Sequence, residues 1–218
     1  VGSEMCIRDR IRRDARWHDG TPITIDDVIF SFRHYKDKAA SGIRTALLEL
    51  DQIIKISDNE VLFTVKKEAT PNPNLPFAVG QFAIQSKNYW KDKDPTKTTI
   101  EPPLGSGPYR VKEFVLGRYV TYERVDDYWG KDLAVMKGRY NFDQLKCDYF
   151  RDESIMVESV KGDVIDLRHE TVSKQWMTEY NFPARHKGYF NRELIDLNRP
   201  WGMWWPIIWN LDDKKFQD

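Results

Sequence analysis

Apolar side chains recur three and four positions apart at Ile25, Val28, Ile29 and Phe32, the spacing that gathers them on one face of a helix. Thr24 and Asp27 stand three apart as in a capping box, with Pro22 just before them. Asp26 and Asp27 put carboxylates in the first turn, where the helix dipole is positive. Lys36 and Lys38 sit near the last turn, and Gly42 ends it. Further along the period falls to two. Ile54 and Ile56 alternate, Ser57-Asp58-Asn59 turns, and Val61, Phe63 and Val65 alternate again, which predicts a hairpin. Residues Thr70 to Pro76 carry three prolines in seven positions and read as an extended connector. KDKDPTKTTIEPP, residues 91–103, is a second polar loop and a subdomain boundary.

After that loop comes GSGPYRV, residues 105–111. A Gly-x-Gly invites a phosphate-loop reading, but no Gly-Lys-Ser/Thr follows and no helical pattern begins. Tyr109 and Val111, then Val120 and Tyr122, alternate around Leu116-Gly117 instead, so the glycines mark a bend at a strand start. Residues 145–168 predict a β–α–β unit: a strand from Leu145 to Phe150, Asp152 as N-cap, and a helix through Ile155, Met156 and Val160. Gly162 stops that helix, and a second, parallel strand follows from Val164 to Leu167. Ser173 to Tyr180 reads as another short helix.

Composition narrows the function classes. Lys+Arg and Asp+Glu both number 34, so the net charge is zero and no nucleic-acid footprint is present. No apolar run approaches the roughly 20 residues of a membrane span. The first ten residues, VGSEMCIRDR, resemble the translated end of a sequencing-library adapter and contain no export signal, so they are set aside from fold reasoning. Cys6 goes with them. The remaining cysteine, Cys147, reads as a small buried hydrophobe on a strand, and one cysteine makes neither a disulfide framework nor a thiolate zinc site. His18-Asp19-Gly20 reads as a turn entering the first helix. No second His or Cys stands at ligand spacing, and His34, His169 and His186 are isolated surface residues. No catalytic residue, no metal and no cofactor is expected.

The least ordinary stretch is RPWGMWWPIIWN, residues 199–210, with four of the chain's eight tryptophans. It suits the core of a missing half or the aromatic wall of a ligand cleft. An interfacial membrane segment is the weakest reading, because no basic amphipathic helix accompanies it.

Several of these stretches, in order, resemble one family. WHDGTPITIDDVIFSF is similar to the signature of family 5 solute-binding proteins, the oligopeptide- and dipeptide-binding components of ABC importers. GSGPYRV with YERVDDYWGKD, and RYNFDQLKCDYFRDESIMVESVKGDVIDLRHE, resemble that family's next two landmarks. EPPLGSGPYR, KGRYNFD and YNFPA are most similar to the YejA-type subgroup. WHDG in place of the commoner Ser-Asp-Gly form, and the tryptophan-rich WGMWW, depart from it.

The resemblance implies a mixed α/β fold of periplasmic binding protein-like II type: the first lobe of a two-lobe protein plus the start of the crossover to the second. Within it, residues 11–103 form a subdomain with the helix and hairpin, 104–190 a sheet subdomain, and 191–218 the crossover strand. The implied function is capture of an oligopeptide, with an oligosaccharide as the alternative ligand and a hydrolase less favoured. Delivery goes to the permease subunits of an ABC transporter from the periplasm, by a protein that is monomeric at full length. Trp201, Met203, Trp204 and Trp205 fall where family members bring aromatic side chains into the cleft. Charged peptide anchors belong to the part beyond the chain.

Overall fold

The computed structural model describes residues 6–38, 47–69, 72–94, 97 and 99–194. Two units form, Val1–Tyr149 and Phe150–Asp218.

In the first unit, α1 (Ile25–Lys38) lies beside β1 (Cys6–Arg10), β2 (Leu50–Lys55) and β3 (Glu60–Val65), which make an antiparallel sheet in the order β1-β3-β2. The helical stripe and the strand alternation meet in one core. Ile25, Val28 and Phe32 pack with Leu47, Leu50, Val61, Phe63, Val65, Leu75 and Val79. Phe32 and Phe63 meet at a ring separation of 4.8 Å. Burying a side chain of this size contributes about 2–3 kcal/mol. Gly42 lies outside the described residues.

The predicted hairpin is present, with a different inward face on β2. A register shift between Leu50 and Ile53 pairs Ile53 with Phe63 and turns Ile54 and Ile56 towards solvent. Residues 6–10, set aside in the sequence reading, form β1, and Arg8 and Arg10 both bond the Glu60 carboxylate across the pair. The Thr70–Pro76 connector is shorter than expected. Helix α2 (Leu75–Gly80) starts inside it, because Pro76 falls in the first turn, where its missing N–H costs nothing. A one-turn helix, α3 (Lys87–Trp90), follows with Ser86 as its cap.

A second sheet of the same unit runs β4 (Tyr109–Val115), β5 (Tyr119–Arg124) and β6 (Gln144–Asp148), all antiparallel. Gly117 takes φ +69° in the β4–β5 turn, a conformation that favours glycine. Cross-strand pairing puts Val111, Tyr122 and Leu145 on one face with Phe114, Val120 and Cys147. None of those six side chains carries a charge, although Arg124 follows on the same side of β5. Cys147 is nonetheless exposed, contrary to the sequence expectation, and Leu145 is 37% exposed. The strand assignment holds, but no described element covers the β6 end of the face.

The second unit contains α4 (Glu153–Lys161), α5 (Ser173–Thr178) and α6 (Pro183–His186). Asp152 caps α4 by accepting from the Ser154 N–H at 2.7 Å, and Gly162 ends it. Val157 and Val160 face inward, while Ile155 points out. Tyr180 stacks on Phe190 with rings nearly parallel at 5.9 Å, and Phe190 meets Phe182. The second strand predicted for Val164–Leu167 does not form among the described residues. A strand exists only by pairing, and the Val164 N–H donates back to Ser159 O at 2.9 Å instead of joining a ladder.

Candidate functional site

The four positions marked in the sequence as cleft residues, Trp201, Met203, Trp204 and Trp205, lie outside the described residues. What the structure does place is the set of motifs that precede them.

The turn at Trp17–Gly20 closes through Trp17 N–H to Thr21 O at 2.8 Å and Gly20 N–H to Trp17 O at 2.9 Å, with Gly20 at φ +84°. Asp19 Oδ1 accepts from both the Thr21 hydroxyl and the Thr21 N–H. The hydroxyl is the main reason its carboxyl sits below the ordinary range. Beyond the turn, His18 reaches the Gly105–Gly107 loop twice. Its backbone N–H donates to Gly105 O at 2.8 Å, and ring Nε2 donates to Gly107 O at 2.8 Å. Since a carbonyl only accepts, Nε2 carries the hydrogen. Between them, Ser106 O accepts from Trp129 Nε1 at 3.0 Å. Three successive carbonyls are thus held by two side chains and one backbone group. Nearby, Arg16 bonds both the backbone oxygen and the carboxylate of Asp127, and this guanidinium lowers the Asp127 pKa.

Gly105 sits in tight quarters. A Cβ there would stand 3.0 Å from His18 Cε1. Gly105 therefore makes room for an imidazole, while a Cβ at Gly107 would meet nothing. Sequence reading separated WHDG, GSGPY and DDYW, and it missed Trp129 as the donor that joins them.

Asp27 performs a second scaffold task. Oδ2 accepts from the Thr24 N–H and hydroxyl, completing the capping box, while Oδ1 accepts from the Lys87 N–H at 2.8 Å. One turn later, the Ser31 hydroxyl donates to Asp27 O and accepts from the Gln85 N–H at 2.7 Å. His34 is less isolated than its sequence position implied. Its Nδ1 lies 2.7 Å from Gln85 Oε1, and its ring is close to those of Phe30 and Trp90. Asp26 is exposed, as a dipole partner can be.

An open, mainly apolar cavity of about 680 Å³ lies in the same unit, with Trp17, Phe32, Tyr35, Phe82, Leu104 and Trp129 among its walls. The Tyr35 hydroxyl donates to Ala83 O, and burial raises its pKa. No three His, Cys, Asp or Glu side chains among the described residues cluster as metal ligands, and no described helix is long and apolar enough to cross a membrane.

The model of the bacterial extracellular solute-binding proteins, family 5 (middle region), matches residues 6–218. The chain belongs to this family. A probable peptide-binding protein YejA of Agrobacterium fabrum is 36% identical over 217 residues, which is 96% of this chain and 35% of the relative. A peptidoglycan-binding protein YepA of the same species is 32% identical over 219 residues, 97% and 35% respectively. Among solved structures, the oligopeptide-binding protein AppA of Bacillus subtilis, in complex with a nonapeptide, superposes with a TM-score of 0.67 at 22% identity. The match covers 84% of this chain and 35% of AppA. The fold is thus that of one lobe of a periplasmic binding protein of type II, with helices and sheets mixed as the sequence implied. The chain spans about a third of the length of these family 5 relatives.

Proposed function

We propose that this chain is first-lobe sequence of the substrate-binding component of an ABC importer, one that captures oligopeptides in the periplasm and hands them to membrane permease subunits. The observation that carries this reading is the junction at residues 105–107. Two side chains within the family-like blocks, Trp129 and the His18 that stands where Ser is commoner, are spent on backbone carbonyls and not on one another. In this reading the motifs serve architecture, and the protein binds its ligand as the solute-binding proteins of its family do.

Binding proceeds by hinge closure of two lobes over an extended peptide, in a protein that acts as a monomer. Trp201, Met203, Trp204 and Trp205 contribute the aromatic wall. Main-chain hydrogen bonds hold the peptide and roomy apolar surfaces accept its side chains, so discrimination is loose. Calorimetric titration of the full-length protein with peptides of graded length tests this: saturable heats support it, and their absence with every peptide contradicts it.

A second reading is favoured by the peptidoglycan-binding relative. In it, the ligand is a cell-wall fragment with sugar and peptide parts, and the tryptophans act as stacking platforms for the sugar. Mass spectrometry of material co-purifying with the full-length protein separates the two.

A further inference from the structure

Between β5 and β6 the chain leaves the second sheet, and its return path encloses a cavity of about 290 Å³. The backbone there is braced at several points. Arg124 Nη1 donates to Tyr140 O and to Asn141 O at 3.2 Å, and Nη2 donates to Asp143 Oδ1 at 2.6 Å. The Tyr109 hydroxyl donates to Phe142 O at 2.8 Å, and Asn141 Nδ2 to Gly138 O at 2.9 Å. This bracing holds Tyr140 at φ +58°, a left-handed conformation uncommon for a bulky side chain. The cavity is thus preformed, at the lower end of the size range of small-molecule sites.

Its walls combine apolar surface with unspent donors. Pro108, Val125 and Met136 line it, together with the rings of Tyr128 and Tyr140, which meet edge to face at 6.5 Å. Tyr128 is wedged in place: a Cβ on Gly130 would stand 2.6 Å from its hydroxyl oxygen. Neither phenol hydroxyl has a hydrogen-bond partner among the described residues. Burial, with Tyr140 beside it, raises the Tyr128 pKa, so that hydroxyl stays protonated and able to donate. The cations divide into two kinds. Arg124 is committed to Asp143 and, at 3.9 Å, to Asp126, whose side chain is 93% exposed. Lys131 gives one N–H to Asp126 O at 3.1 Å, and the Arg139 guanidinium gives none. Neither has a salt-bridge partner among the described residues, and Asp127, which feels the Lys131 charge, is taken by Arg16.

We propose that this cavity binds a small organic oxyanion, a carboxylate or phosphate monoester carried on a compact apolar body. Lys131 and Arg139 meet its charge, and the Tyr128 and Tyr140 hydroxyls donate to its oxygens. Such charge-assisted bonds are about twice as strong as neutral ones. Pro108, Val125, Met136 and the two rings cover the body. A neutral ligand would leave both cations unanswered, and a cationic one would be repelled. Because the bracing orders the loop in advance, little ordering is left to be done on binding. The site lies wholly within the first unit and does not rest on the peptide-binding reading.

Titration of the 218-residue chain with benzoate, phenyl phosphate, neutral benzamide and inorganic phosphate tests this, followed by calorimetry and by amide signals in nuclear magnetic resonance. At least one organic anion should bind at millimolar concentration or below and shift the amides of residues 136–141. Tighter binding of phenyl phosphate assigns the site to phosphate monoesters, and tighter binding of benzoate assigns it to carboxylates. Arg139→Gln and Lys131→Gln, both at exposed positions, should each weaken binding at least about tenfold. Tyr128→Phe and Tyr140→Phe should each weaken it at least about threefold without lowering the denaturation midpoint, since these hydroxyls bond nothing in the protein. Lys112→Gln, on β4 outside the cavity, should leave the affinity unchanged. The proposal is overturned if neither organic anion binds, or if benzamide or inorganic phosphate binds as tightly. Affinity that survives Arg139→Gln or Lys131→Gln overturns it too, as does an equal loss in Lys112→Gln.

Discussion

His18 Nε2 donates to the carbonyl of Gly107 across 89 positions of sequence, at 2.8 Å, and its ring fills the space that a side chain on Gly105 would need. This contact ties the turn before α1 to the start of the second sheet. Gly105→Ala puts a methyl 3.0 Å from the imidazole and should destabilise the first unit by about 1–3 kcal/mol as overpacking. His18→Ala relieves that clash but leaves Gly107 O without its donor, at a cost of about 1–2 kcal/mol. The two changes act on one contact, so the double variant should lose less than the sum of the single losses. Denaturant midpoints of the four proteins check this, and strict additivity would contradict it.

Asp27 and Asp26 are adjacent carboxylates with unequal work. Asp27→Ala removes the acceptor for Thr24 and for the Lys87 N–H together, and should cost about 2–3 kcal/mol. Asp26→Ala, on the exposed side, should stay within about 0.5 kcal/mol of the parent. Equal losses in chemical denaturation would show that the dipole effect outweighs the hydrogen bonds.

How far the sequence carried the fold is clear at these positions. Ile25, Val28 and Phe32, the Thr24–Asp27 box and the Gly117 turn are local patterns, and local patterns were readable. The Lys87–Asp27 bond, the Ser31–Gln85 bond and the His18–Gly107 bond join residues more than fifty positions apart, and no periodicity encodes them. The β2 bulge defeated simple alternation, so Ile53 and not Ile54 faces the core. Val164–Leu167 had the composition of a strand, but composition does not supply a neighbour. Of the site, the resemblance pointed to four residues near the chain's end, while the structure brings together the motifs upstream of them.

Tyr180 reports on the second unit through alkaline pH. Burial, reinforced by its hydrogen bond to Glu170, pushes its pKa up to about 12. Because the folded value lies above the ordinary phenol value of about 10, the stabilisation is whole below pH ~10 and is lost as pH rises through the folded pKa. Glu170 shifts the other way. Burial alone would raise it, but the Tyr180 hydroxyl, the Val172 N–H and the Arg168 charge together hold it below the usual carboxylate range. Tyr180→Phe should therefore weaken the unit at neutral pH and flatten its alkaline loss of stability. An unchanged alkaline limb would show that Tyr180 is not the group responsible.

The uncovered end of the second sheet predicts chemical behaviour. In a Cys6→Ser background, Cys147 should react with a thiol reagent in the folded chain at close to the rate of an unfolded control. The apolar face around it should bind a hydrophobic dye, and Leu145→Lys should reduce that binding while changing stability by no more than about 0.5 kcal/mol. Slow thiol reaction in the monomeric chain would mean the face is covered.

The most direct test of the whole account is peptide affinity measured side by side for the 218-residue chain and the full-length protein, by calorimetry and tryptophan emission. A binding component that closes two lobes over its ligand needs both walls to desolvate it. The full-length protein should bind oligopeptides with a shift or quench of tryptophan emission, and the 218-residue chain should show no measurable affinity. Micromolar peptide binding by the monomeric 218-residue chain alone would contradict the account.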